Sequence, residues 1–318
     1  MAKSFKRLLE ILLDEAQPLP ITRLSELSDL SVDRLAQLED IWEHIPDKRR
    51  RALVKELGDQ ARQRFELSFE PINRLALSNA DSEVRSMAIL NLWECEDPTI
   101  APTFLTILSQ DPSSDVRAAA AKVLGLFVWL GEIDQLAQDL LHQIEDGLLT
   151  ALAGDQEQDV HRHCLESLGF SSRSEVPPLI EKAYQSGDDE KVQSALFAMG
   201  RSANKQWEAY VLAKLVNPSP AIRQEAARAA GELELREAVE ALIDLLDDVD
   251  QQVSIAAIWA LGQLGGETAA DALILMIDTA DDEIFIQVLE EALDHLVFVD
   301  RTRNFLLLDS DDPEDPIY

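Results

Sequence analysis

A short motif returns at near-constant intervals along this chain, and that repetition limits the fold more than any single residue does. A β-branched residue, a small residue four places later and, in most copies, Gly or Leu nine places later occur at Val84 (VRSMAILNLW), Val116 (VRAAAAKVLG), Val160 (VHRHCLESLG), Ile222 (IRQEAARAAG), Val253 (VSIAAIWALG) and Ile284 (IFIQVLEEAL). Val192 (VQSALFAMGR) starts a further copy whose glycine comes one place early, and Arg49 to Gly58 (RRRALVKELG) is a weaker earlier one. From Val84 onward the anchors are separated by 32, 44, 32, 30, 31 and 31 residues. That period suits stacked helical hairpins and is too long for leucine-rich repeats.

Each unit reads as a leucine-rich helix such as AVEALIDLL from Ala238, then an acidic or Asn-Pro turn, then the alanine-rich anchor helix. Alanine four places after the anchor lets two helix backbones approach, while the flanking Val and Leu fill the layer between repeats. Each such side chain contributes roughly 1.5–3 kcal/mol when fully buried. Gly125, Gly169, Gly231 and Gly262 are expected where the helix ends and the chain reverses in a left-handed conformation.

Asp111-Pro112 before Val116-Arg117, and Asn217-Pro218 before Ile222-Arg223, resemble HEAT repeats of the kind also found in phycobilisome lyases, over residues 46 to about 300. The resemblance implies an all-α, right-handed superhelical solenoid of seven or eight hairpins. It also implies a ladder in which a turn Asp or Asn and an Arg six residues on tie one repeat to the next: Asn79/Arg85, Asp111/Arg117 and Asn217/Arg223. His161, Gln193, Ser254 and Phe285 interrupt that ladder. Residues 1–45 are predicted to form a helical N-terminal cap, 46–300 the solenoid with an enlarged unit around 126–155, and 301–318 an acidic tail.

Charge narrows the partners. The 318 residues carry a formal net charge of −32, with 28 basic against 60 acidic side chains. Residues 1–65 hold twelve of each, so the whole excess lies later. Long-range repulsion of that size disfavours nucleic acid and anionic membrane surfaces. Lys48-Arg49-Arg50-Arg51 is the one basic cluster, expected to pair with nearby acid or to dock an acidic peptide. No apolar run is long enough to span a bilayer. The N-terminus, MAKSFKRLLEILLDEAQPLP, reads as an amphipathic helix in place of a signal peptide. Two cysteines, Cys95 and Cys164, build no disulfide framework and suit a reducing compartment, so a cytoplasmic monomer is expected.

Signs of chemistry are few. The five histidines form no His-Glu-x-x-His, and no His-Glu pair occurs at all. That matters because deoxyhypusine hydroxylase, a HEAT-repeat enzyme, holds its iron with such pairs. In His161-Arg162-His163-Cys164 only His161 and Cys164 share a helix face, and Cys164 fills the small core position, so no metal or cofactor is expected. The reading is a non-catalytic scaffold for another protein or peptide, basic or amphipathic; a bilin-lyase-like or chaperone-type role is the alternative that the resemblance brings.

The second helix of each hairpin is expected to line the binding face, with the residues two and six places after each anchor pointing outward: at six, Leu90, Lys122, Glu166, Ala198, Arg228, Trp259 and Glu290. Ile255, Trp259, Phe285, Ile286 and Glu290 make the first candidate patch. Phe127 and Trp129, in the oversized interval, make the second.

Overall fold

The computed structural model describes residues 2–309, and among them every regular element is helical. The chain divides into two compact units, Met1–Ser167 and Leu168–Tyr318. The first begins with helix Ala2–Leu13, the 3-10 turn Ile21–Leu27 and helices Val32–Trp42 and Asp47–Gln63, around a core that includes Leu8, Leu12, Leu24, Leu27, Leu38 and Trp42. Hairpins Glu70–Ala76/Ser82–Leu90 and Ala101–Gln110/Ser114–Glu132 follow, then Gln138–Gly154 with Gln158–Leu168. The second unit holds Val176–Tyr184/Asp189–Arg201, Glu208–Leu212/Pro220–Glu232, Val239–Asp244/Gln251–Leu264 and Glu267–Thr279/Glu283–Asp309. Residues 301–309 thus continue the last helix, and the remainder of the acidic tail, 310–318, lies outside the described residues.

The second helix of each hairpin packs on its counterpart in the next, within each unit. Val84, Val116, Val160, Val192, Ile222 and Val253 are all buried, as an anchor requires. The last copy departs: Ile284 is 76% exposed, and Leu289, Ala292 and Leu296 form the buried side. The working register there starts one residue later, at Phe285, which sits half-buried in the anchor's place.

The 44-residue interval enlarges its unit by lengthening helices and adds no long loop. Ser114–Glu132 and Gln138–Gly154 run 19 and 17 residues. Apolar residues continue at helical spacing through Phe127, so nothing stops the helix where the other copies turn.

The glycines do a different job from the one expected of them. Gly125, Gly231 and Gly262 lie inside helices, and none of the three, nor Gly169, has a positive φ. A Cβ on Gly125 would meet Ser167 at 2.8 Å, on Gly231 the Trp259 ring at 2.7 Å, and on Gly262 the Ala292 carbonyl oxygen at 2.9 Å. Glycine is there because the next repeat's second helix comes too close for any side chain. The reversal comes a few residues later, where Asp134, Ala203, Glu234 and Gly265 take φ of 60°, 49°, 51° and 71°. Two of these close with a bond that spans the helix end, from the Gln135 amide to the Leu130 carbonyl (2.7 Å) and from Leu235 to Ala230 (3.0 Å). A left-handed residue with a Cβ is strained. Ala203→Gly is therefore expected to stabilise the second unit by about 0.5–1 kcal/mol, read as a raised urea midpoint; an unchanged or lowered midpoint would show the strain is relieved otherwise.

The arginine ladder has a definite geometry. Arg85 reaches forward to both carboxylate oxygens of Asp111 (2.8 Å each) while donating backward to the Asn79 carbonyl (2.8 Å). Arg117 repeats this with Asp155 (2.6 and 3.1 Å) and the Asp111 carbonyl (2.9 Å). Arg223 does so with Asp248 (2.7 and 2.8 Å) and the Asn217 carbonyl (2.8 Å). Each turn residue also folds its own turn, Asp111 Oδ1 accepting from the Ser113 amide and the Asn79 and Asn217 side chains doing the same two residues on. His161 and Ser254, which replace arginine, keep a bond to their own turn at the Asp155 and Asp248 carbonyls.

Candidate functional site

Outward positions on the second helices are the places where a partner could touch this chain without disturbing its core. In the first unit Leu90 and Lys122 are exposed six places after their anchors and Glu166 is half-buried; in the second Arg228, Trp259 and Glu290 are exposed, whereas Ala198 is buried.

Trp259 is 39% exposed. One edge of its indole lies on helix Pro220–Glu232 over Gly231, so the ring is fixed from below and open from above. Ile255, one turn earlier, is half-buried on the same side. Ile286 is half-buried as well, while the register shift moves Phe285 to the packed side of its helix. Glu290 and its neighbour Glu291 are exposed. No lysine or arginine occurs from Glu237 to Asp300.

Phe127 and Trp129 part company. Phe127 is 1% exposed and packs on Phe104 with ring centroids 6.4 Å apart, so it belongs to the core and is withdrawn from any binding surface. Trp129 is 40% exposed.

A cluster not foreseen from the sequence surrounds Arg201. Its guanidinium lies over the Phe197 and Phe170 rings, 5.0 and 5.4 Å from their centroids, and 3.4 Å from Glu232. Burial pushes the Glu232 carboxyl up, against the opposing pull of Arg201 and Arg228. The early glycine was the available signal: with Gly200 one place ahead, Arg201 falls in the slot that glycine fills elsewhere.

Half of the basic cluster is spent internally. Arg49 and Arg50 are buried, Arg49 donating to the Ile11 and Gln17 carbonyls and Arg50 pairing with Glu43 and Asp47 at 3.2 and 3.0 Å. Arg51 pairs with Asp81 (2.5 Å) and Glu83 (2.9 Å), a rung like those of the ladder. Arg49 and Arg50 are therefore withheld from an acidic peptide or a phosphate, whereas Lys48 and Arg51 stay at the surface.

Reactive groups are correspondingly quiet. His161 contacts the Asp155 carbonyl and His163 the Glu166 carboxylate at 2.9 Å. Burial pushes the Cys164 thiol up to about 12, and raises Cys95 too, so neither is a ready nucleophile. Among the described residues no group of three or more His, Cys, Asp and Glu could hold a metal ion, and no helix is long and apolar enough to cross a membrane.

The ladder carboxyls do respond to pH. Hydrogen bonds from Arg117 and Arg223 hold Asp155 and Asp248 below the ordinary aspartate value. A carboxyl depressed on folding contributes stability that is present above its unfolded pKa, about 3.9, and is lost as pH falls through its folded one. Below about pH 4 the unaltered chain is thus expected to lose more stability than Asp248→Asn. Comparing the two acid titrations separates the rung from the relief of repulsion that protonation brings to the remaining acidic residues; parallel curves would remove the rung's contribution.

A family model of HEAT repeats matches residues 71–148 and 208–294, together just over half of the chain. No curated protein matches the sequence. Three solved structures resemble it at low identity. Human deoxyhypusine hydroxylase in complex with glycerol is 18% identical, with 93% of this chain and 96% of that one covered and a TM-score of 0.38. The CpcE–CpcF complex of phycocyanin lyase from Nostoc sp. PCC7120 is 16% identical, covering 71% and 94%, with a TM-score of 0.48. Importin beta is 13% identical, covering 93% of this chain and 47% of its own, with a TM-score of 0.48.

Proposed function

Because this chain belongs to the HEAT-repeat family, a fold of stacked hairpins that leaves the faces of its helices free for recognition, we propose that it is a non-catalytic scaffold binding a basic or amphipathic protein segment. The observation that carries this reading is Trp259: a large indole, anchored on one edge and open on the other, beside Ile255 in a stretch that holds no positive side chain. A half-exposed tryptophan bordered by charge is a common layout for an interface anchor. Acidic attraction draws the segment in, and burial of the indole and Ile255 holds it, so added salt slows capture more than it speeds release.

The test is affinity capture from native extract with mass spectrometry, comparing the unaltered chain with a Trp259→Asp, Ile255→Asp double variant of unchanged helix content. Recovery of a basic or amphipathic protein at least tenfold better with the unaltered chain supports the reading. Equal recovery with both chains, or a retained small molecule and no protein, rejects it.

A further inference from the structure

Gly200 comes one place before the slot that glycine fills in the other copies, and the space it leaves is taken by a carboxylate. A Cβ there would meet Glu232 Oε2 at 2.5 Å and the Ala229 Cα at 3.2 Å, so the Glu232 side chain can lie against helix Asp189–Arg201 because residue 200 has no side chain of its own. Arg201 stands in the displaced slot, its guanidinium over the Phe197 and Phe170 rings and its Nη1 3.4 Å from Glu232 Oε1. All of these residues belong to the second unit.

Donors are left over in this arrangement. A guanidinium stacked on aromatic rings keeps the N–H groups of its edge for an anion. Arg201 spends that edge on one contact, longer than a good hydrogen bond, and its side chain is 38% exposed. Arg228, one turn before Glu232 on helix Pro220–Glu232, acts on the same carboxyl through its charge; it is exposed and makes no ion pair among the described residues. In the ladder, arginine pulls Asp155 and Asp248 below their ordinary value, whereas here burial outweighs both arginines and Glu232 is raised. The pairing is incomplete: two guanidiniums against one carboxylate leave one positive charge over, in a chain of formal net charge −32.

We infer that Arg201 and Arg228 form a binding site for a monocarboxylate that carries an apolar group next to its charge. The open edge of Arg201 matches the two oxygens of a carboxylate. Phe170 and Phe197, both half-buried, give the apolar group a surface to rest on. Glu232 sets the charge of the ligand: the surplus balances one negative charge, whereas a phosphate monoester brings about two at neutral pH to a site that already holds a carboxylate. A free small acid and an acidic residue of a protein segment present the same chemistry here. The site uses neither Trp259 nor Ile255 and stands apart from the surface around them.

Benzoate, benzamide and phenyl phosphate share a ring and differ in charge, and acetyl-Leu-Glu-Leu-amide places the carboxylate on a peptide. Each is titrated near neutral pH at physiological salt, with the arginine Nε–Hε signals followed by NMR. Benzoate is expected to shift Arg201 and Arg228 saturably, benzamide to leave them in place, and phenyl phosphate to bind more weakly than benzoate. Arg201→Gln is expected to weaken benzoate about tenfold. Arg228→Gln, which breaks no ion pair of the fold, is expected to weaken it in the same direction, and Glu232→Gln to strengthen it by removing the resident carboxylate. The tighter of benzoate and the peptide identifies the source of the carboxylate. Unsaturated shifts that are equal at the exposed Arg236 would mean an adventitious ion only. That result, equal binding of benzamide, phenyl phosphate as tight as benzoate, or indifference to both arginine variants overturns the proposal.

Discussion

Asp111→Ala is expected to cost the first unit about 3 kcal/mol, because it strands a charge inside the structure. The Arg85 and Asp111 side chains are only 11% and 8% exposed, and two parallel bonds of 2.8 Å join them. Burial, the largest single influence, would raise the Asp111 carboxyl; the hydrogen bonds from Arg85 and the Ser113 amide and the charges of Arg85 and Arg117 together outweigh it, and the group ends below its ordinary value. Removing the carboxylate also takes away the acceptor that folds the turn at Ser113. Urea unfolding followed by hydrogen exchange in helices Ser82–Leu90 and Ser114–Glu132 reads the effect. Loss below about 1 kcal/mol would mean that Arg85 finds water or another acid, as exposed pairs do. An Arg85→Met, Asp111→Leu double variant, with neither charge, is expected to recover much of the loss.

Gly262→Val is the counterpart in the second unit. The obstruction there is backbone: a Cβ would lie 2.9 Å from the Ala292 carbonyl oxygen and 3.4 Å from its Cα, so no side chain can swing aside. Helix Glu283–Asp309 must shift away from Gln251–Leu264, at a cost of about 2–3 kcal/mol. Gly154→Ala is the control, with nothing within 4 Å of its added carbon and a helix-favouring residue gained. Equal unfolding midpoints for the two variants would refute the close-approach reading of Gly262.

How far these features could be read from sequence depended on register. The anchors place the second helices because a buried β-branched residue with Ala or Cys one turn on leaves the same trace in five copies, at Val84, Val116, Val160, Ile222 and Val253, from which the other two follow by period. The same period sorts Phe127 from Trp129: eleven residues after Val116 is close to three full turns, which returns Phe127 to the buried side, whereas thirteen carries Trp129 to the open one. The glycines carry a double meaning because close approach and chain reversal both favour the same residue, and the reversals themselves use Asp134, a residue type that tolerates the left-handed region, and Ala203 and Glu234, which no turn rule singles out. The slip to Phe285 left one sign in the sequence, Val288 where five other copies carry Ala or Cys four places after the anchor. Phe197 and Arg201 lie one turn apart on a single helix, a spacing that the sequence does show, whereas Phe170 and Glu232 come from other elements, and no local spacing announces them.

The ladder also says how such a chain can be inherited. Arg85 finds its carboxylate in the following copy, at Asp111, and Arg117 finds its own at Asp155, so no copy holds both ends of a rung. A duplicate of the copy that carries both groups, Asp111 and Arg117, therefore arrives with an arginine ready for the downstream turn and an acid ready for the upstream arginine. Such a copy can be gained or lost in a whole period without leaving an orphan charge, and the 44-residue interval keeps this phase by placing its additional residues between Arg117 and Asp155, inside the span that a single rung already bridges.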